Sequence, residues 1–294
     1  LLIMPLFLFS CSSEGDRDKD GVRIEVIDGI EHIHNPDVPK YPGRSVTLEE
    51  DLTITGEDAD GKVIIYKPSV FKVDHKENIY IVDQAEFTIT QFDSGGNYFR
   101  TIGGKGQGPG EFQFAPAPFE FLPEGGLLVW DYFARRFSVF NKQGEFLNSF
   151  RFECDMGEIF FVTDGEICIS VQEGMHENTK LFVKIIDRKG NIKKDLGRFK
   201  YDMIFGSKVR GADAFGVTII PFATYSIFAG DGVLKRLYHC FSAEYLIEMY
   251  DEKGNLIRKM DRPYEPVEVT EMEREEGKKR FSLSLIHISE PTRP

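Results

Sequence analysis

The sequence predicts an all-β protein assembled from repeated four-stranded units. Its composition favours β-sheet, because 41% of its 294 residues are hydrophobic and 26 are Phe against a single Trp. Phe and β-branched side chains suit pleated, half-buried surfaces. A short turn motif also recurs along the chain, and a second hairpin precedes each copy of it. Together these observations indicate one repeated architecture.

The recurring turn consists of an apolar residue, Asp or Asn, two variable residues and Gly. Asp or Asn at the start of a tight turn accepts hydrogen bonds from nearby backbone, and Gly supplies a positive φ angle. Apolar runs on both sides make each copy a β-hairpin. The copies are Phe92-Asp93 with Gly96, Phe140-Asn141 with Gly144, Ile186-Asp187 with Gly190 and Tyr250-Asp251 with Gly254, so their glycines are 48, 46 and 64 residues apart.

A second hairpin lies upstream of each of these turns. The segments that form it are VFKVDHKENIYIVD, FEFLPEGGLLVWD, FFVTDGEICIS and YSIFAGDGVLK. The first two end on Asp83 and Asp131, which are again 48 residues apart. Two hairpins in each repeat give four strands per roughly 45 residues, which is the period of a β-propeller blade. The sequence therefore predicts a β-propeller with about four clear blades.

A glycine-rich segment between the first two blades carries a family resemblance. The run GQGPGEF over residues 106–112, followed by Pro116 and another hairpin, resembles the NHL repeat. More closely, the chain resembles the six-bladed propeller lipoproteins of Bacteroides-type bacteria, from about Val22 to Arg262. The resemblance implies six blades and hence an incomplete ring in this chain. Blades three and four depart from the motif, because no GPGEF run precedes them.

The remaining segments are less regular. VRIEVIDGIEHIHN alternates apolar and polar residues and predicts a strand, and LEEDLTITGED also has strand character. EVTEMEREEGKKR predicts a short helix in which Thr270 and Glu273 form a capping box.

The N-terminus predicts export. Leu1 to Phe9 is apolar, like the end of a signal peptide, and Leu8-Phe9-Ser10-Cys11 resembles a bacterial lipobox. The resemblance implies lipidation of Cys11 and a location in the bacterial cell envelope, as an outer-membrane lipoprotein facing the periplasm or the cell surface. The alternative is a plain signal peptide with an incidental cysteine.

We therefore expect four regions. Residues 1–11 are the signal remnant with its lipobox, 12–21 a flexible tether, and 22–281 a partial propeller. Residues 282–294, SLSLIHISEPTRP, resemble a translated sequencing adapter and are expected to be non-native.

Charge argues against one class of partner. The formal net charge is −12, so the chain as a whole repels phosphate backbones and nucleic acid is not an expected partner. No internal stretch reaches the roughly 18 apolar residues of a membrane-spanning helix, so membrane association is expected only through the lipid anchor.

Four residues are candidates for ligand binding. Asp83 and Asp131 lie at strand ends near the predicted mouth of the ring, and Tyr132 and Arg135 follow Asp131. Carboxylates there can reach a ligand or Ca²⁺. The alternatives are that both aspartates cap turns and that Tyr132 and Arg135 lie in a solvated loop.

Other candidates carry weaker signals. His32 and His34 are placed for one face of a strand, but two imidazoles alone do not make a metal site. Three further cysteines, Cys154, Cys168 and Cys240, allow one disulfide bond at most. Cys168 lies in an apolar strand and can instead be a buried free thiol. The glycine-rich run matches neither nucleotide-binding loop and is expected to be a linker.

No catalytic motif and no cofactor motif is present. The expected function is therefore that of a non-catalytic binding or scaffold module for a protein, peptide or glycan. The alternative is a propeller hydrolase or lyase with a metal in the central channel, which the fold alone does not exclude.

Overall fold

The chain folds into four-stranded antiparallel sheets. The computed structural model describes residues 21–277 apart from positions 39–40, 42, 44, 58–59, 63, 154, 174–179, 201–203, 209–214, 220–224 and 266. Nearly all of the regular structure there is β-strand, and no described helix is long and apolar enough to cross a bilayer.

The strands follow the chain in hairpins and blades. An N-terminal hairpin consists of β1 (Arg23–Ile27) and β2 (Ile30–His34). Blade 1 consists of β3 (Pro68–Val73), β4 (Ile79–Asp83), β5 (Thr88–Phe92) and β6 (Tyr98–Gly103). Blade 2 consists of β7 (Phe119–Phe121), β8 (Leu127–Asp131), β9 (Arg136–Phe140) and β10 (Phe146–Arg151).

The C-terminal half repeats the pattern with one interruption. Blade 3 consists of β11 (Asp155–Val162), β12 (Glu166–Glu173), β13 (Lys180–Asp187) and β14 (Ile192–Phe199). A separate hairpin pairs β15 (Ile204–Lys208) with β16 (Phe215–Ile219). Blade 4 consists of β17 (Ser226–Asp231), β18 (Arg236–Phe241), β19 (Leu246–Tyr250) and β20 (Leu256–Asp261). The four predicted blades are confirmed.

Apolar side chains fill the spaces between neighbouring blades. Val82 and Ile89 of blade 1 pack with Phe119 and Leu127 of blade 2. The next cluster joins Trp130 of blade 2 to blade 3, and a third joins blade 3 to Leu237 of blade 4. Each sheet thus covers the apolar face of its neighbour, as radially stacked propeller blades do.

The turn glycines also form contacts between blades. Gly144, Gly190 and Gly254 all have positive φ angles, of 79°, 86° and 71°. A Cβ on Gly190 would lie 2.5 Å from the carbonyl oxygen of Arg151 in β10. A Cβ on Gly144 would meet Ile102 of β6 at 3.0 Å. The recurring glycine therefore serves two requirements, the backbone conformation and the close approach of the preceding blade.

The N-terminal segment differs from the sequence prediction. VRIEVIDGIEHIHN is a hairpin rather than one strand, because Asp28 and Gly29 form a turn with φ angles of 51° and 80°. The described part of the segment LEEDLTITGED, residues 48–57, contains no strand. Its Leu52 nevertheless lies where an outer strand would lie, 2.9 Å from a Cβ on Gly96.

Two additions extend the blade pattern. β2 pairs in parallel with β20, so the N-terminal hairpin enlarges blade 4 to six strands. The β15–β16 hairpin is an insertion, because the N–H of Ser226 donates to the carbonyl of Lys200 at 2.9 Å. This insertion accounts for the long spacing of 64 residues between the last two turn glycines.

A short helix follows blade 4, over residues 271–277. The Thr270 hydroxyl accepts from the N–H of Glu273, and the Glu273 carboxylate accepts from Thr270 N–H. The predicted capping box is confirmed. Cys11, residues 12–20 of the tether and the segment 282–294 lie outside the described residues, as does Cys154.

Candidate functional site

Asp83 lies at the end of β4 and is fully buried. Its carboxylate accepts the backbone N–H groups of Tyr66 at 2.7 Å, Lys67 at 3.0 Å and Ala85 at 2.7 Å. Burial acts to raise the pKa of Asp83, but these donors outweigh burial and hold the pKa below its ordinary value. Asp83 therefore joins the segment that leads into blade 1 to the turn after β4.

Asp131 occupies the same place in blade 2. It is fully buried and accepts the N–H of Gln113 at 2.9 Å and that of Ala134 at 3.1 Å. In blade 4 the Ser242 hydroxyl accepts the N–H of Tyr225 at 3.0 Å in the same way. This is the geometry of the turn-capping alternative, and a ligand role for Asp83 and Asp131 stays a prediction.

Tyr132 and Arg135 lie in the turn between β8 and β9. The Tyr132 ring is exposed and contacts the Phe133 ring at 5.6 Å between centroids. Arg135 has a φ angle of 47° and lines a groove with Arg136 and Arg151. The structure thus brings these two predicted residues together on one surface, apart from the buried carboxylates.

The histidine pair is held by acidic neighbours. The His34 ring lies 3.1 Å from the Glu25 carboxylate and 3.0 Å from that of Asp261, and the His32 ring centroid is 6.3 Å from that of His34. Within the described part of the chain, no group of three or more His, Cys, Asp or Glu side chains is placed to hold a metal ion. Cys168 is a buried free thiol, as predicted, and burial raises its pKa.

The inner strands of the first three blades bring charged side chains to one place. Lys72 of β3 forms an ion pair with Glu120 of β7, and its ammonium lies 5.7 Å from the centroid of the Phe119 ring. Glu158 of β11 is close enough to both charges to be influenced by them. We call Lys72, Glu120 and Glu158 the axial charge cluster.

The two carboxyl groups of this cluster differ in their environment. Burial raises the pKa of Glu158; the positive charge of Lys72 opposes the rise, and the negative charge of Glu120 adds to it. Glu120 is buried but paired with Lys72, and it also accepts the N–H of Phe121 at 3.0 Å. The cluster therefore offers an ion pair beside a second carboxyl group.

A cavity of 820 Å³ opens beside the cluster. It is lined by the ends of β3 and β7 and by the turn between β17 and β18, including Phe71, His75 and Lys235. The Lys235 ammonium donates to the carbonyl of Val162 at 2.6 Å, which fixes this turn against blade 3. We call this space the axial cavity, and its walls offer charged, aromatic and backbone groups to a ligand.

Sequence reasoning did not single out the axial charge cluster. Lys72 and Glu120 are 48 residues apart, the same spacing as the first two turn glycines, so a comparison of equivalent blade positions would have found this pair. Glu158 follows Glu120 by only 38 residues, and the repeat period does not predict its position. The shorter spacing reflects the short connection between β10 and β11, residues 152–154.

Comparison with known proteins identifies a family. Residues 62–215 match the model of the DUF5128 family, described as a 6-bladed beta-propeller, and this match covers more than half of the chain. No curated protein matches the chain.

The solved structures to which the chain is similar are distant from it in sequence. An exported protein of Bacteroides fragilis is 12% identical, with a TM-score of 0.41, over 77% of this chain and 87% of the other. A protein of unknown function from Bacteroides caccae is also 12% identical, with a TM-score of 0.39 over 69% and 72%. Virginiamycin B lyase from Staphylococcus aureus is 11% identical, with a TM-score of 0.35 over 87% and 84%.

Proposed function

Since this chain belongs to the six-bladed β-propeller family, we propose that it is a non-catalytic binding module that takes a peptide or glycan ligand into the axial cavity. The observation that carries the proposal is the convergence of the axial charge cluster beside a cavity of 820 Å³. Ligand cavities in proteins usually enclose about 300–1,000 Å³ and combine apolar walls with a few polar groups.

The polar groups of the cavity suit a neutral or zwitterionic ligand rich in hydroxyl or amide groups. Lys72 and Glu120 largely cancel each other's charge. The Glu158 carboxyl lies near this ion pair and offers oxygen atoms to the hydroxyl or amide N–H groups of a ligand. Phe71 and Phe121 add apolar area beside these groups.

Binding is tested by titration calorimetry, in which neutral peptides and neutral oligosaccharides are added to the full chain. We expect a ligand whose affinity falls about tenfold or more in Glu120→Gln, since the half-buried Lys72 then loses its negatively charged partner. The matched control is Glu86→Gln, which removes a carboxylate from an exposed ion pair with Lys105 at the other end of blade 1. Equal loss in both variants, or in neither, contradicts the proposal.

We also propose that the module is anchored in the bacterial cell envelope through Cys11. The support is the lipobox-like run Leu8-Phe9-Ser10-Cys11 and the polar segment after it. Cells that express the chain and are fed labelled palmitate should yield labelled protein in the membrane fraction. The label should vanish in Cys11→Ala and persist in Cys240→Ala; label in both variants, or in neither, counts against the anchor.

A second function is favoured by one observation. Glu120 and Glu158 are two carboxyl groups near the Lys72 ammonium, and a pair of carboxyl groups can serve as a general acid and a general base. A propeller hydrolase or lyase would use these two groups in catalysis. Such an enzyme, with a metal in the central channel, is the alternative function that the sequence left open. Metal analysis of the purified full chain, together with turnover of any ligand found by calorimetry, separates this function from simple binding.

A further inference from the structure

A row of aromatic side chains lies on the face of the propeller opposite the axial cavity, at the turns after β4 and β8. Three of these side chains are largely exposed although they lie next to one another: Phe114 (44%), Tyr132 (44%) and Phe133 (63%). The centroids of Phe114 and Phe133 are 5.1 Å apart, and Phe87 lies 6.0 Å from Phe114. The row therefore spans blades 1 and 2 and presents continuous apolar area to solvent.

A groove of 610 Å³ continues from the end of this row. Phe133 belongs to both features, and the groove is further lined by Arg135, Arg136, Arg151 and one acidic residue, Glu153. Arg136 donates to the carbonyls of Glu111 at 2.7 Å and Gly108 at 3.3 Å, so the glycine-rich linker fixes its guanidinium. We call the rings and these arginines the aromatic–arginine face.

The charge of this face is opposite to that of the whole chain. The chain has 48 acidic against 36 basic residues, yet the groove brings together three arginines and one glutamate. An acidic partner is repelled by most of the surface and attracted here, which gives a defined orientation of approach.

We propose that the aromatic–arginine face docks an acidic protein segment that inserts an apolar side chain among the rings and directs carboxylates at the arginines. Aromatic residues and arginine are the side chains that contribute most to protein–protein interfaces. Arginine also binds carboxylates with two parallel hydrogen bonds. This docking surface is separate from the axial cavity and does not depend on the ligand proposed there.

The geometry of the rings favours a polypeptide over an anionic glycan. The planes of Phe114 and Phe133 meet at 87°, and those of Tyr132 and Phe133 at 84°. Sugar rings stack on flat aromatic faces, whereas rings that meet edge to face leave recesses between them. Such recesses accept the methyl and methylene groups of an amino-acid side chain.

The experiment is a selection of random displayed dodecapeptides on the immobilised full chain, followed by fluorescence anisotropy of the recovered peptides. We expect peptides rich in Asp and Glu that carry at least one large apolar residue. Their affinity should fall about tenfold in Phe133→Ser and in Arg151→Ser, and it should weaken as salt is raised. Both residues are exposed, so neither substitution disturbs the core.

Matched controls come from exposed residues of the same types elsewhere. Phe99 is 61% exposed on β6, and Arg198 is exposed on β14; Phe99→Ser and Arg198→Ser should leave binding unchanged. Recovery of no peptides, of peptides without acidic enrichment, or of peptides that bind all four variants equally overturns the proposal. Binding of polygalacturonate that is lost in Phe133→Ser, without peptide binding, assigns the face to an anionic glycan instead.

Discussion

Buried carboxylates that accept backbone N–H groups are the residues on which the blade connections depend most directly. Asp83 accepts three such groups and Asp131 two, and each joins the segment entering its blade to the turn after the second strand. A buried N–H that loses its acceptor costs about 1–3 kcal/mol. The two aspartates, 48 residues apart, therefore repeat one structural device at equivalent places in neighbouring blades.

Replacing Asp83 by Asn should lower the free energy of unfolding by about 1–3 kcal/mol at neutral pH, because the amide accepts fewer N–H groups. The pKa of Asp83 is lowered in the folded protein, so its stabilisation is present above the unfolded pKa of about 3.9 and disappears as the pH falls through the folded pKa. Urea unfolding from pH 7 to pH 2.5 should show a smaller acid-side loss in Asp83→Asn. Glu252→Gln, at an exposed position, is the control; equal pH profiles for all three proteins would contradict this account.

At the scale of strands and turns, much of the fold follows from the sequence. The Asp/Asn-x-x-Gly turns and the upstream hairpins predict the strands of all four blades, because alternating apolar runs between tight turns leave few other structures. LEEDLTITGED has the same local character, but its described residues, 48–57, form no strand. Strand formation needs a hydrogen-bonding neighbour as well as propensity, and local sequence does not specify that neighbour.

The candidate site was less predictable than the fold. Asp83 and Asp131 were singled out by their positions at strand ends, and the turn-capping alternative covers their bonds to the N–H groups of the following turns. Their bonds to Tyr66 and Gln113 were not predicted, since these partners belong to connecting segments. The axial charge cluster depends on how three separate inner strands are placed around the axis. That placement depends on connection lengths, which differ between β6–β7 and β10–β11.

The turn glycines allow backbone conformation and blade packing to be separated experimentally. Gly190→Ala adds a Cβ 2.5 Å from the carbonyl oxygen of Arg151 at a φ angle of 86°. Gly29→Ala adds a Cβ at a φ angle of 80° with nothing within 4 Å. The control should lose about 1–2 kcal/mol from the left-handed conformation, and Gly190→Ala about 1–3 kcal/mol more from the forced separation of blades 2 and 3. Equal losses in chemical unfolding would show that the turn glycine has no role in blade packing.

The whole molecule is held together by contacts between distant parts of the chain. The pairing of β2 with β20 joins residues that are 227 positions apart, and an ion pair between Glu31 and Arg258 accompanies it. His34 and the N–H of Asn35 both bind Asp261 at the end of β20. The N-terminal hairpin therefore covers the outer edge of blade 4, and an uncovered edge of this kind invites pairing with other chains.

Two changes outside the four-stranded blades should consequently differ in their effect on stability. Removing residues 21–38 exposes the edge of β20 and should lower Tm by roughly 5 °C or more, with concentration-dependent aggregation in light scattering. Replacing residues 202–223 by Gly-Asn-Gly should change Tm by less than about 2 °C, because the Lys200 carbonyl and the Ser226 N–H already meet at 2.9 Å. The connection from β10 to β11 shows that three residues suffice between an outer strand and the next inner strand. If the second change destabilised the protein as much as the first, the β15–β16 hairpin would be part of the ring and not an insertion beside it.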